Sequence, residues 1–522
     1  MTSNRVPQIQ SAMLAAPGGG NMLKYVTVFV LGLSLGFLLT IQIDTGSNLA
    51  GNVVSQGAPL GSGGPDLGSG DVGTVGASGN TGGRGASSSG SGSGGGAALG
   101  GSGTGGDTAA ASGDKEGLEC EAGKNGGKTD TGVSEDKIKL AANVVTDGAG
   151  ANFLSASPTG MQAVINRVNA DGGICGRILE LKTVNDSWDA PRGQTNIENF
   201  IAEGYFALPV VPSSEGLSSA IDGGIIEQAG IPVIGTDGMR QEQYNAGKFK
   251  GKGSWVAPVA VATVSQVRIM IDYAVTTLGA ETFGIVWDTR YKFGKEGADA
   301  YKDYIKKVGK TLKADAGIAP GQGSYATEAN DFKKACGDAK CDVVVFLLEP
   351  VTAQTWVASA GTDGNGKLMT SGAQPLFNDK FARGCGSVCN NMLVWTGYNP
   401  AIGDENLAKP DVDRYVNDVK KIDPSADITN QFMQGAYLGM EVFVELVKQC
   451  SPNLTRACIK ANLDSLDYTS DLAIGTLSWR SGDHFSNKGA RAYAIKYQGS
   501  NFAGFEDKRV SGTDPDPGNV PG

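Results

Sequence analysis

The chain has 522 residues, a net charge of −10, one histidine and eight cysteines, and 19% of its residues are charged. With no basic run and no aromatic stripe interleaved with lysines, the sequence argues against a nucleic-acid partner, and the acidic balance argues for solubility only. One histidine, no nucleophile elbow and no metal-ligand cluster leave an enzyme only carboxylate chemistry, and the carboxylates have no spacing that favours it. No cofactor is expected.

The chain opens with a 1–24 segment that carries Arg5 and Lys24 and no acidic residue. From Tyr25 to Ile43 there is no charged side chain, long enough as a helix to nearly span a hydrocarbon core of about 30 Å. Asp44 follows at once, so the charge bias places residues 1–24 in the cytoplasm and everything after 43 outside. A cleaved signal peptide is the rival reading, but the leader is long and residues 40 to 50 offer no clean small-x-small site. The expectation is a single-pass cell-membrane protein with an uncleaved anchor at 25–43.

Residues 44–115 are mostly Gly, Ser, Ala and Thr, with 25 glycines between Gly46 and Lys115. Such a stretch cannot bury a core. As a flexible coil it holds the following domain on the order of 45 Å from the membrane. Further on, Gly361-Thr-Asp-Gly-Asn-Gly366-Lys367 looks like a phosphate loop, but Leu368 stands where the magnesium-binding Ser or Thr belongs.

Residues 116–522 exceed what one core holds, about 250–300 residues, so two lobes are expected. All eight cysteines fall here, on the outer side, and an even count reads as disulfides. Eight cysteines permit about 105 pairings. The reading taken is Cys336 with Cys341, Cys385 with Cys389 and Cys450 with Cys458, each closing a short loop, leaving Cys120 to reach Cys175. The spacings, with only His484 to help, do not make a zinc site.

From Ile138 on, short apolar runs alternate with amphipathic stretches, as in a parallel sheet covered by helices. Strands are expected at 138–145, 178–184, 205–211 and 231–235, with helices between them. Met161, Val164, Ile165 and Val168 mark one helix by their i, i+3, i+4, i+7 spacing. After Trp255 the pattern restarts with a helix at 264–278, a strand at 282–287, a helix at 295–308 and a strand at 342–348. A helix at 431–447 returns to the first lobe, strands follow at 472–479 and 491–497, and the end of the chain is a frayed tail. Trp188 and Trp479 read as packing residues.

Val133-Ser-Glu-Asp-Lys-Ile-Lys-Leu140, Val168-Asn-Ala-Asp-Gly-Gly-Ile-Cys-Gly-Arg177, Asn185-Asp-Ser-Trp-Asp-Ala-Pro191, Gly230-Ile-Pro-Val-Ile-Gly235 and Cys450-Ser-Pro-Asn-Leu-Thr-Arg-Ala-Cys458, in that order, resemble the Leu/Ile/Val-binding-protein-like (type I periplasmic) solute-binding proteins. The resemblance covers about Thr131 to Phe505. It implies an α/β fold of two doubly wound parallel-sheet lobes: lobe 1 at about 131–256 and 398–463, lobe 2 at about 257–397 and 464–505, and a 506–522 tail. Three crossover strands would join the lobes, near Trp255, near Trp395 to Pro400 and near Asp464 to Asp471, with a ligand between them.

The ligand-binding candidates implied are Ser213, Ser214, Thr236 and Asp237 on lobe 1, with Phe153 after the first strand, and Tyr291 and Glu349 on lobe 2. Strand ends and helix N-termini face such a cleft, where free N–H groups attract carboxylates. Glu349 would pair with an ammonium group. Asp237 departs from the pattern, because a carboxylate there repels an α-carboxylate and gives weight to an amide, amine or polyol. The function implied is capture of a small polar solute and its delivery to an ABC permease. A ligand-sensing ectodomain or a cell-surface interaction protein is the alternative.

Overall fold

The computed structural model describes residues 117–121, 123–236 and 254–517, together with Tyr25–Val26 and Ile41–Gln42, two dipeptides that pair antiparallel. Most of the expected anchor at 25–43, the 1–24 segment, the 44–115 linker and Asp237 lie outside the described residues. No helix among the described residues is long and apolar enough to cross a membrane.

Lobe 1 is built on β1 (Lys137–Val144), β2 (Ile178–Asn185), β3 (Leu208–Val211) and β4 (Val233–Thr236). β1 pairs in parallel with β2 from Lys137↔Ile178 to Val144↔Asn185, a Leu140↔Ala207 bridge joins β1 to the approach of β3, and β3 pairs in parallel with β4. Alternation along β1 splits the core. Leu140 and Ala142 pack with Met161, Val164 and Leu438, whereas Ala141 packs with Ile197, Phe200 and Leu217 on the other face. Helices Ser157–Ala170 and Gln431–Cys450 therefore cover one side, and Ala190–Ala202 and Ser214–Asp222 the other.

Lobe 2 contains β5 (Thr282–Asp288), β6 (Thr311–Ile318), β7 (Val343–Leu347), β8 (Leu368–Ser371) and β9 (Leu393–Thr396). The short strands β10 (Asp467–Tyr468) and β11 (Leu477–Ser478) come next in the chain and pack on the lobe-1 core, and lobe 2 then adds a hairpin of β12 (Gly489–Gln498) and β13 (Asn501–Thr513). The lobe-2 sheet runs β13-β12-β9-β8-β7-β5-β6, parallel except for the hairpin at its edge. β6, with polar residues alternating along it, carries too weak an apolar signal to be read as a strand from sequence. It is held by its pairing with β5.

Two expectations are corrected. The 506–522 tail starts as ordered strand, because β13 pairs with β12 as far as Gly489↔Thr513. The third crossover lies later than Asp464 to Asp471: Leu472, Leu477 and Trp479 are fully buried in the lobe-1 core, so the chain stays in lobe 1 until about residue 480. The crossing falls at 484–487, beside the first crossover. There His484 Nδ1 lies 2.8 Å from the Val256 carbonyl, Ser486 Oγ donates to the Pro258 carbonyl at 2.7 Å, and Asn487 Nδ2 donates to the Val259 and Gly397 carbonyls at 3.2 and 2.9 Å. Asn487 thus ties all three connections together. The four disulfides are Cys120–Cys175, Cys336–Cys341, Cys385–Cys389 and Cys450–Cys458, as expected.

Candidate functional site

The loop after β2 sets the lobe-1 side of the cleft. Asn185 Oδ1 accepts from the Ser187 N–H at 3.1 Å and Asp186 Oδ1 from the Trp188 N–H at 2.9 Å. These bonds hold Ser187 and Trp188 in the left-handed region, at φ 56° and 62°. For a bulky residue that conformation costs on the order of 1–3 kcal/mol and persists where the surroundings over-determine it. The strained loop turns the indole toward lobe 2, and its Nε1–H donates to Ser214 Oγ at 3.3 Å.

Lobe 2 answers with a similar device. Asp288, the last residue of β5, accepts through Oδ1 from the N–H groups of Arg290 and Tyr291 at 2.8 and 3.2 Å. Tyr291 is the N-cap residue of helix Lys292–Lys307. Its ring stacks on Trp188 with centroids 3.9 Å apart, and Phe293 lies nearly parallel to Trp188 at 6.1 Å. Burial pushes the Asp186 carboxyl up to about 6, against the Ser213 hydroxyl and the Trp188 N–H, which hold it down. Burial pushes Asp288 to about 6 as well, with the Arg290 and Tyr291 N–H groups opposing and Glu349 adding repulsion.

Between these loops lies a narrow cavity of about 30 Å³. Phe153, Leu154, Trp188, Pro212, Phe293 and Phe432 form most of its wall, and Ser214, Thr263, Gln266 and Gln374 are its polar members. None of the described residues lining it is charged. Phe153 meets Trp188 edge-on at 5.3 Å and Phe432 at 4.9 Å. The lobes also touch through Glu215, whose Oε1 accepts from the Lys292 N–H at 3.1 Å. A lobe-1 carboxylate thereby caps the positive end of a lobe-2 helix.

The structure brings Phe153 and Ser214 into the cavity wall and Tyr291 directly behind it, against Trp188. Ser213 is fully buried beside Asp186 and is not part of the wall. Glu349 is buried with its carboxylate turned to its own helix, accepting from the N–H groups of Val351 and Thr352 at 2.8 and 2.6 Å. Thr236 closes β4. Sequence reading missed Trp188, Phe293, Phe432, Gln266 and Gln374 as cleft residues. The one available signal was Asn185-Asp186 ahead of Trp188, since Asn and Asp side chains build such turns.

Solved structures share this fold. A fatty acid ABC transporter substrate-binding protein from Thermomonospora curvata superposes with a TM-score of 0.61 at 14% identity, covering 76% of this chain and 98% of that one. The branched-chain amino acid transporter substrate-binding protein from Streptococcus pneumoniae, in complex with isoleucine, gives 0.59 at 16% identity over 72% and 100% of the two chains. An ABC transporter solute-binding protein from R. palustris, in complex with 4-hydroxybenzoate, gives 0.58 at 12% identity over 74% and 100%. Among curated proteins, none matches the chain. The sequence profile described as "Periplasmic binding protein" matches residues 137–501, most of the chain, and with the two hinged lobes and their shared cleft this shows that the protein belongs to the periplasmic binding protein family, the solute-binding proteins of ABC transporters.

Proposed function

We propose that this protein captures a small solute, such as an amino acid, an amide or a related compound, between its lobes on the outer side of the cell membrane and delivers it to an ABC permease. The observation that carries the reading is the cavity itself: its wall comes from both lobes, and three adjacent crossovers form the hinge behind it. Contacts made by both lobes exist only when the cleft is shut, so a ligand shifts the open–closed population by its differential affinity, and the permease reads the closed shape. The apolar stretch 25–43 is proposed as the anchor and the glycine-rich 44–115 segment as the tether, with residues 1–24 cytoplasmic. Family membership supports a binding role over an enzymatic one.

The test is a thermal-shift screen of the full chain, refolded to strip carried-over ligand, against amino acids, amides, polyamines, small carboxylates, sugars and simple aromatics. At a hundredfold excess over Kd a ligand adds about 2.7 kcal/mol to stability. A hit confined to one chemical class supports solute capture. A blank panel with the protein folded rejects it and turns attention to a macromolecular partner.

A further inference from the structure

We infer, resting on the solute-capture reading, that the ligand is a planar, uncharged aromatic compound bearing hydrogen-bond donors, which inserts between the faces of Trp188 and Phe293, both in the cavity wall, and donates to Gln266 and Gln374.

Charge is the first argument. No described residue in the cavity wall carries a charge, and the carboxylates around it are engaged with backbone, Glu349 with the N–H groups of Val351 and Thr352, Glu215 with that of Lys292, Asp186 through Oδ1 with that of Trp188, and Asp288 through Oδ1 with those of Arg290 and Tyr291. An ion moved into such surroundings without a partner is strongly disfavoured. A zwitterionic amino acid would bring two.

Shape is the second. The Trp188 plane lies 22° from that of Tyr291 and 20° from that of Phe293, and the latter two lie 17° from each other. Trp188 belongs to lobe 1 and its two parallel partners to lobe 2. Hinge opening therefore widens a slot with flat aromatic walls, and a widening of about 3.5 Å, one carbon contact distance, admits a single planar layer. An aliphatic chain would leave much of those ring faces poorly covered.

Polarity is the third. Gln266 is fully buried and Gln374 is 7% exposed. Their Nε2 groups donate to the Trp395 carbonyl at 3.1 Å and the Val261 carbonyl at 3.4 Å, which fixes the orientation of both amides. The Oε1 atom of each is buried without a protein hydrogen-bond partner. Two acceptors in an apolar wall select a ligand with O–H or N–H groups, because a ligand without them leaves both unsatisfied.

The test is calorimetric titration of the refolded full chain with four probes: 4-hydroxybenzamide, which is planar, neutral and carries donors; 4-hydroxybenzoate, which is charged; hexanamide, which is neutral but not aromatic; and leucine. The expected result is that 4-hydroxybenzamide binds at least tenfold tighter than the other three. Trp188→Leu weakens it tenfold or more, and Gln266→Met and Gln374→Met each about fivefold, with melting curves showing the variants folded. Should Trp188→Leu fail to fold, the near-isosteric glutamine variants decide. Tighter binding of hexanamide, 4-hydroxybenzoate or leucine overturns the proposal and leaves solute capture standing. Binding of 4-hydroxybenzamide that ignores all three substitutions overturns it too, as does no binding by any probe. Only a blank in the broad screen described above removes the capture reading as well.

Discussion

Trp188 of lobe 1 and Tyr291 of lobe 2 lie face to face across the cleft, 3.9 Å between ring centroids, and each is presented by a buried aspartate at the end of its own strand. The lobes thus meet in part through an aromatic stack hung on two carboxylates, beside the Glu215 cap on Lys292 and the bond that Asn378 Nδ2 donates to the Asn152 carbonyl at 3.5 Å.

Removing either contact should loosen closure without unfolding the lobes. Aromatic pairs contribute about 0.5–1.5 kcal/mol beyond area burial, and a carboxylate at a helix N-terminus about 0.3–1 kcal/mol, more when partly buried. With spin labels on the exposed residues Glu198 and Lys380, Trp188→Ala and Glu215→Ala should each move the distance distribution of the ligand-free full chain toward longer values, with Glu215→Gln in between. Unchanged distributions would show that neither contact holds the lobes.

The two raised aspartates give a pH dependence with a definite sign. Asp186 and Asp288 rise from the ordinary 3.8 to about 6 in the folded protein. The folded state then binds protons more tightly than the unfolded chain, so the stabilisation by protonation is fully present below about pH 4 and is lost as pH rises through 6. Asp186 also faces Arg192 and Asp189, and Asp288 faces Glu349 and Arg290. Asp186→Asn and Asp288→Asn keep the acceptors for the loop N–H groups and remove the buried charge. Each should raise stability at pH 7.5 by about 1–3 kcal/mol and change little at pH 4, measured by urea unfolding. Equal effects at both pH values would refute the ionised-carboxylate account.

The Cys120–Cys175 link joins residues 55 apart, and Cys450–Cys458 residues 8 apart. Loop-closure entropy assigns roughly 4 kcal/mol to the first and roughly 2.5 kcal/mol to the second. The double variant Cys120→Ser with Cys175→Ser should therefore lose more stability than Cys450→Ser with Cys458→Ser. Arg177 donates to the carbonyls of Asn125, Gly127, Ser134 and Pro452, which should keep the arm docked in both and leave the ranking to the unfolded state. The opposite order in urea melts would contradict this.

Gly439 allows helix Gln431–Cys450 to lie directly on β4. A Cβ there would sit 2.9 Å from the Gly235 Cα and 3.1 Å from Val210 Cγ2. Gly439→Ala should cost about 1–3 kcal/mol by overpacking a close-packed layer, seen as a lower urea midpoint. A neutral or stabilising result would mean that the helix shifts freely.

Local pattern carried most of the architecture. The i, i+3, i+4, i+7 spacing of Met161 to Val168 and the apolar run of β7 are properties of neighbouring residues, and each element appears where that pattern places it. The four cysteine pairings also followed from short separations and elimination. What sequence could not fix depends on partners far along the chain. β6 and β13 exist because a neighbouring strand takes their backbone groups, and the third crossover moved because Leu472, Leu477 and Trp479 bury in lobe 1. The cleft is the clearest case. Glu349 became a helix cap, Trp188 became a wall, and Gln266 and Gln374, two glutamines with nothing distinctive around them in sequence, became the polar members of an apolar slot. Those roles are set by which lobe surface closes over each side chain, and lobe closure is a relation between residues far apart in the chain, 77 positions in the case of Glu215 and Lys292.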